Sequence, residues 1–245
     1  MSALWNESTR TPSNFHRQHA RPATFYQTVG LIVSAAMVRP AVGAGAGHRL
    51  VRRRGSRAKA RETAIRAAAL RIFRRKGYDA ASMQEIADAV GLNKGSLYYY
   101  ISSKEELLVR LFEGRGEQVL GEIDAAGSRP GSPRERLRAI VHAYVLGVLR
   151  NIDPVHVYLR EEHSLPPAAL EQVRRTNQAM RQRIERVIVE GVRQGDFVAS
   201  DPKLATLALL GTCTWVHRWF RPGGRLTETA VADDFADRAV RMLQP

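Results

Sequence analysis

The chain is poor in cysteine and aromatic residues, and it has no long uninterrupted apolar run. A single cysteine, Cys213, among 245 residues excludes an intrachain disulfide, which fits a reducing, cytoplasmic compartment. Cys213 lies in an apolar stretch and reads as a small buried packing residue. The longest apolar run near the start, Val29–Val38, is broken by Gly30 and Ser34 and is too short to span a bilayer. Arg17 and Arg21 before it and residues 41–47 after it mimic a secretory signal only loosely, and Met37 is a second candidate start. No glycine-rich phosphate loop, H-E-x-x-H or paired-cysteine zinc spacing occurs. His156 and His163 stand seven apart around Arg160-Glu161-Glu162, without a second pair of ligands at metal-site spacing. The expectation is therefore a protein that is not an enzyme, with no metal and no cofactor. Acidic residues are almost missing from one end: residues 1–60 hold ten Lys or Arg against Glu7 alone.

What is present is apolar content of 44%, enough for a sizeable core, and a formal net charge of +14. Such a balance favours an anionic partner. Residues 1–56 mix Pro, Gly, Ser, Thr and Arg without periodicity and read as a disordered basic leader. It ends in Arg52, Arg53, Arg54, Arg57 and Lys59. From about Arg57 onward the pattern is helical, and no strand-like alternation of useful length appears. The first helix places Ile65, Ala68, Ala69, Ile72 and Phe73 on one face. Ser82 to Glu85 is a capping box that starts the second, and a third runs from Asn93 to about Tyr100. Ser102 and Ser103 with Glu105 and Glu106 offer overlapping boxes for the fourth. Ser132-Pro-Arg-Glu135 opens an apolar stripe through Leu137, Tyr144, Leu149 and Ile152. Further helices are expected to His163, from Pro167 to Gly195, from 201 to 220 and from 227 to 243. The fold class is all-α, with about nine helices.

The informative stretch is SMQEIADAVGLNKGSLYYYISSKEEL, Ser82 to Leu107. Two short helices joined at Gly91 make a helix-turn-helix, with Gly91 free to take the turn's backbone conformation. Ile86, Ala87, Val90, Leu92 and Leu97 are spaced to pack the pair together. Asn93, Lys94, Ser96, Tyr99 and Tyr100 are then expected to face outward, toward base edges in a major groove.

These residues resemble the TetR family. Ile65, Ala68, Ala69, Phe73, Gly77 and Tyr78 meet its first-helix pattern, Ser82 to Gly91 its second, and Gly95 to Leu107 its third. Ile101 departs from the usual aromatic. The resemblance implies a three-helix DNA-binding unit over residues 57–108, a ligand-binding and dimerisation unit over 109–245, and a homodimeric repressor of a palindromic operator. It implies that Ser82 and Lys104 touch phosphates, that Tyr98 packs and donates its hydroxyl to the backbone, and that Gly95 permits close approach to DNA. Arg57 and Lys59, with the cluster before them, would follow the duplex.

In the second unit the resemblance implies dimerisation through the last two long helices. Leu204, Leu207, Ala208, Cys213, Trp219, Phe220, Ala230, Ala236 and Val240 are the candidate seam. Thr214-Trp-Val-His-Arg-Trp-Phe-Arg-Pro-Gly-Gly-Arg-Leu-Thr227 resembles a segment of TetR-type regulators of fatty-acid and steroid breakdown that answer to acyl-CoA. That implies a hydrophobic effector and a pocket drawn from Tyr144, Leu149, Met180 and Trp215, with Arg150, Arg160, Arg174 or Arg181 as anchors for phosphates. Two other readings remain open on the residues alone: a non-specific nucleic-acid binder driven by the leader, which predicts steep salt dependence, and a helical enzyme or carrier for acyl thioesters, which predicts no DNA affinity.

Overall fold

The computed structural model describes residues 50–245, with side chains from Arg57 on. Residues 1–49, and with them most of the expected leader, Met37 and the run Val29–Val38, lie outside the described residues, as do the side chains of Arg52, Arg53 and Arg54. Every regular element described is helical. In chain order they are α1 (Leu50–Lys76), α2 (Met83–Ala89), α3 (Lys94–Tyr100), α4 (Lys104–Phe112), α5 (Arg115–Gly127), α6 (Pro133–Arg150), α7 (Ile152–Glu161), a 3-10 turn (Glu162–Ser164), α8 (Pro167–Gln194), α9 (Pro202–Thr214), α10 (Val216–Trp219) and α11 (Glu228–Leu243).

Local chemistry accounts for most of these boundaries. Ser82 Oγ accepts the Glu85 amide while Glu85 accepts the Ser82 amide, the reciprocal cap that starts α2. Ser132 and Glu135 repeat it at α6, with Pro133 in the first turn, where a missing amide hydrogen costs nothing. Asp201 and Thr227 cap α9 and α11 with their side chains. Gly195 closes α8 at φ 79°, a left-handed conformation that glycine adopts without steric cost.

Two breaks and one extension depart from the periodicity. Gly114, at φ 77°, separates α4 from α5. The helix expected over 201–220 stops at Thr214, and Trp215 links it to the single turn α10. α1 begins at Leu50, ahead of the start expected at 57, because its arginines are good helix formers and no proline interrupts them.

Two apolar clusters organise the chain. The first joins Ile65, Ile72 and Phe73 of α1, Ile86 of α2, Leu97 of α3 and Leu107, Leu111 and Phe112 beyond it. Val157 and Tyr158 of α7 and Val173 of α8 complete it. The second centres on α6, whose Leu137, Ile140, Tyr144, Val145, Val148 and Leu149 are buried against α5, α8, α9, α10 and α11. Burying each such side chain contributes about 1.5–3 kcal/mol. α7 packs on both α1 and α10, so it bridges the two clusters.

Candidate nucleic-acid interface

Each element of the helix-turn-helix is held by a specific contact. Gly91 turns the chain at φ 66°, and Arg61 of α1 donates Nη1 to the Val90 carbonyl at 3.1 Å, tying α1 to the turn. Asn93 Oδ1 accepts the Ser96 amide at 2.7 Å and so caps α3. Its oxygen is therefore occupied by the cap, and with Asn93 exposed it is the Nδ2 hydrogens that remain to donate toward a base edge. Leu97 is fully buried and fixes the rotation of α3. That rotation leaves Lys94, Gly95, Tyr98 and Tyr99 exposed, with Tyr99 at 85%. Tyr98 is exposed at 43% rather than packed, and Tyr100, expected outward, is half-buried against the first cluster and meets Tyr99 edge-on. The two tyrosines exchange their expected roles because Tyr100 stands three residues after Leu97, on the same helix face. Ser96 is half-buried, and Arg57 and Lys59 are exposed on α1.

The two expected phosphate contacts are engaged inside the protein. Ser82 Oγ pairs with Glu85 in both directions. The Lys76 ammonium lies 2.6 Å from that carboxylate and, with Ser82, lowers the Glu85 pKa to about 2. Lys104 is the larger correction. Its Nζ donates to the carbonyls of Tyr78 at 2.9 Å, Asp79 at 3.3 Å and Ala81 at 3.1 Å, and it lies 4.4 Å from the centre of the Tyr78 ring. An ammonium has three hydrogens, and all three hold the turn between α1 and α2.

That turn is gripped from a second direction, by residues the sequence reading placed elsewhere or missed. Arg160 of α7 donates to the Phe73 and Arg74 carbonyls, and the buried Glu161 accepts the Tyr78 amide at 3.1 Å and the Arg160 Nε at 2.7 Å. Arg74 pairs with Asp153 at the start of α7. Arg160 is thus committed to α1 and is no anchor for a ligand phosphate. Arg150 and Arg174 are exposed and Arg181 is half-exposed. His156 meets His217 of α10 edge-on at 5.0 Å, whereas His163 is exposed.

In the second cluster Tyr144, Leu149 and Met180 are buried. The Tyr144 hydroxyl pairs with Thr214 Oγ1 at 2.8 Å. Trp215 is 60% exposed, with Arg218 over its ring, and does not line an interior tunnel. It sits where the helix breaks, and its side chain leaves the core. Leu204, Ala208, Trp215 and Trp219 instead form an exposed row along α9 and α10, Leu207 is half-buried beside it, and Trp219 stacks on Phe235 of α11. Cys213, Phe220 and Ala236 are buried within their own subunit's core, and burial pushes the Cys213 thiol up to about 12. These three leave the seam. Val240 is half-buried against the core and Ala230 is exposed.

Residues 65–111 match the family model described as bacterial regulatory proteins, tetR family. Residues 130–243 match that of the tetracyclin repressor-like C-terminal domain. The HTH-type transcriptional repressor KstR2 of Rhodococcus jostii (strain RHA1) is 29% identical over 180 residues, covering 71% of this chain and 87% of that protein. Among solved structures, the TetR family transcriptional regulator PfmR from Thermus thermophilus is 31% identical with a TM-score of 0.62, over 72% of this chain and 97% of its own. AibR, in complex with isovaleryl coenzyme A and operator DNA, is 29% identical with a TM-score of 0.61, over 76% and 98%.

Proposed function

The chain belongs to the TetR family of bacterial regulatory proteins, and from that premise we infer that it is a homodimeric repressor released from its operator by a hydrophobic ligand, an acyl-CoA thioester. It is a DNA-binding transcriptional regulator and not an enzyme. Residues 57–108 serve as the DNA-binding unit and 109–245 as the ligand-binding and dimerisation unit. The site of action is the cytoplasm; no helix among the described residues is long and apolar enough to cross a membrane.

The observation that carries this reading is the outward face of α3. Tyr98 and Tyr99 project from a helix that Leu97 locks on another side, and Lys94 is exposed in its first turn. A helix about 10–12 Å across with its side chains fits a major groove about 12 Å wide. Gly95 and Ser96 lie beside them, and Arg57 and Lys59 extend the basic surface along α1. Pairing two subunits through Leu204, Leu207, Ala208, Trp215 and Trp219 would set two copies of α3 about 34 Å apart on successive turns of DNA.

The grip of α7 on the α1–α2 turn supports ligand control. Asp153 at its start and Arg160 and Glu161 at its end leave α7 holding the DNA-binding unit from both ends, while Val155 in the same helix is part of the second cluster. A ligand that fits one position of α7 better than the other shifts the population between DNA-binding and released shapes. The acyl-CoA assignment is supported by AibR, whose structure holds isovaleryl coenzyme A with operator DNA, and by the segment from Thr214 to Thr227.

A gel-shift on DNA upstream of its own gene, at physiological salt, with and without acyl-CoAs, tests the assignment. The expected result is a shift resistant to random competitor DNA and abolished by a thioester. A shift lost equally to random DNA would overturn it in favour of non-specific binding through basic residues.

A further inference from the structure

Six polar or charged side chains are buried among the described residues: Glu161, Thr176, Asn177, Thr206, Thr214 and His217. Five have partners. Glu161 accepts from Arg160 and the Tyr78 amide, Thr176 and Thr206 donate to carbonyls one turn earlier, Thr214 pairs with Tyr144, and His217 Nδ1 lies 2.7 Å from the Thr214 carbonyl. Asn177 differs. It is 1% exposed, and neither its Oδ1 nor its Nδ2 has a hydrogen-bond partner among the described residues.

Its position gives the orphan a meaning. Asn177 lies on α8 between Val173, which belongs to the first cluster, and Met180, which belongs to the second. At spacings of four and three these residues share its helix face. The carboxamide therefore lies between the core of the DNA-binding unit and that of the ligand-binding unit. An unpaired amide in an apolar interior destabilises the fold, and a leucine of similar size would relieve the penalty. A carboxamide that lacks a partner in the free protein is suited to receive one from a ligand.

We propose that Asn177 is the recognition group for a neutral oxygen on the effector, so that the effector is an acyl thioester carrying a hydroxyl or ketone on an otherwise apolar acyl group. The proposal rests on the effector reading above. The carboxamide offers one acceptor and one NH2 donor. A hydroxyl answers both, and a ketone answers Nδ2. Val173, Met180 and Ile184, on the same face, supply no counter-charge for a carboxylate. A plain hydrocarbon chain would leave the amide unpaired, which is how a buried polar group discriminates between ligands.

The test is calorimetric titration of the full-length protein and its Asn177→Leu variant with isovaleryl-, octanoyl- and cyclohexanecarboxyl-CoA and with the hydroxy and oxo derivative of each. The expected result is that at least one oxygenated thioester binds the wild type about tenfold or more tighter than its hydrocarbon parent. Asn177→Leu should remove that preference while keeping the parent's affinity and operator binding. Asn177→Met serves in its place if Asn177→Leu no longer binds DNA. Equal affinities in the wild type, a preference that survives in the variant, or no binding by any thioester would each overturn the proposal. Equal affinities would mean that Asn177 holds only water. Absence of all thioester binding beside an intact, sequence-specific operator shift would remove the acyl-CoA assignment and leave the DNA-binding reading standing.

Discussion

Replacing Lys104 with methionine separates two roles for one residue. Methionine keeps much of the length and apolar stem but removes the ammonium that holds the Tyr78, Asp79 and Ala81 carbonyls. The three losses are unequal. The Asp79 side of the turn is exposed and can turn to water, and the Tyr78 carbonyl still accepts the Ala81 amide at 3.1 Å. The Ala81 carbonyl loses most, at about 1 kcal/mol or slightly above. The contact with the Tyr78 ring adds about 0.5–1 kcal/mol. The total is about 2 kcal/mol, which for a chain of this size lowers the melting temperature by about 4–8 °C. The assay is thermal unfolding at one fixed protein concentration, since dimerisation makes the transition concentration-dependent, paired with operator affinity across a salt series. A lysine that only contacts phosphate predicts an unchanged melting temperature and a salt slope reduced by about one per protomer. A Lys104→Met protein that melts within about 1 °C of the wild type would refute the clamp.

Three other perturbations follow from the same structure. Tyr99→Ala, at a position 85% exposed, should leave stability within about 0.5 kcal/mol and weaken operator binding by about tenfold or more; unchanged affinity in a gel-shift removes Tyr99 from the interface. Leu204→Glu places a charge in the exposed row of α9 and should convert the dimer to a monomer in sedimentation velocity, with loss of operator binding; a dimer that persists would move the seam elsewhere. His156 and His217 both have pKa values lowered below 6.5, burial being the largest cause in each case and nearby positive charge contributing. The folded state therefore resists protons that the unfolded chain accepts, so their contribution to stability is complete above pH 6.5 and declines as pH falls below it. Melting temperatures between pH 8 and 5 should fall in the acid range, and less steeply in His217→Gln; an identical acid slope in the variant would exclude His217 as its cause.

Features within a turn or two of helix were determined by the residues themselves. The stripe Ile65, Ala68, Ala69, Ile72 and Phe73 is buried as its spacing requires, and the reciprocal caps at Ser82 and Ser132 form as read. Gly91 takes the left-handed turn that joins α2 to α3. These signals are legible because capping and helical periodicity act between residues no more than about four apart. Tertiary structure decided what the long and bulky side chains do. Lys104 reaches carbonyls 23 to 26 residues away, and Arg160 and Glu161 reach α1 and its turn across 83 to 87. Nothing in local spacing marks such partners. The tyrosine run was ambiguous for a related reason: three adjacent rings cover most of a helix circumference, and only the burial of Leu97 against α1, α2 and α4 selects which of them faces out. Trp215 turned outward and Phe220 inward because the helix breaks after Thr214 and its rotation restarts, while Ala236 is covered by its own subunit's core. Sequence sets which face of a helix is apolar; which neighbour covers that face, and which polar atoms find a partner beneath it, depends on the packing of elements far apart in the chain.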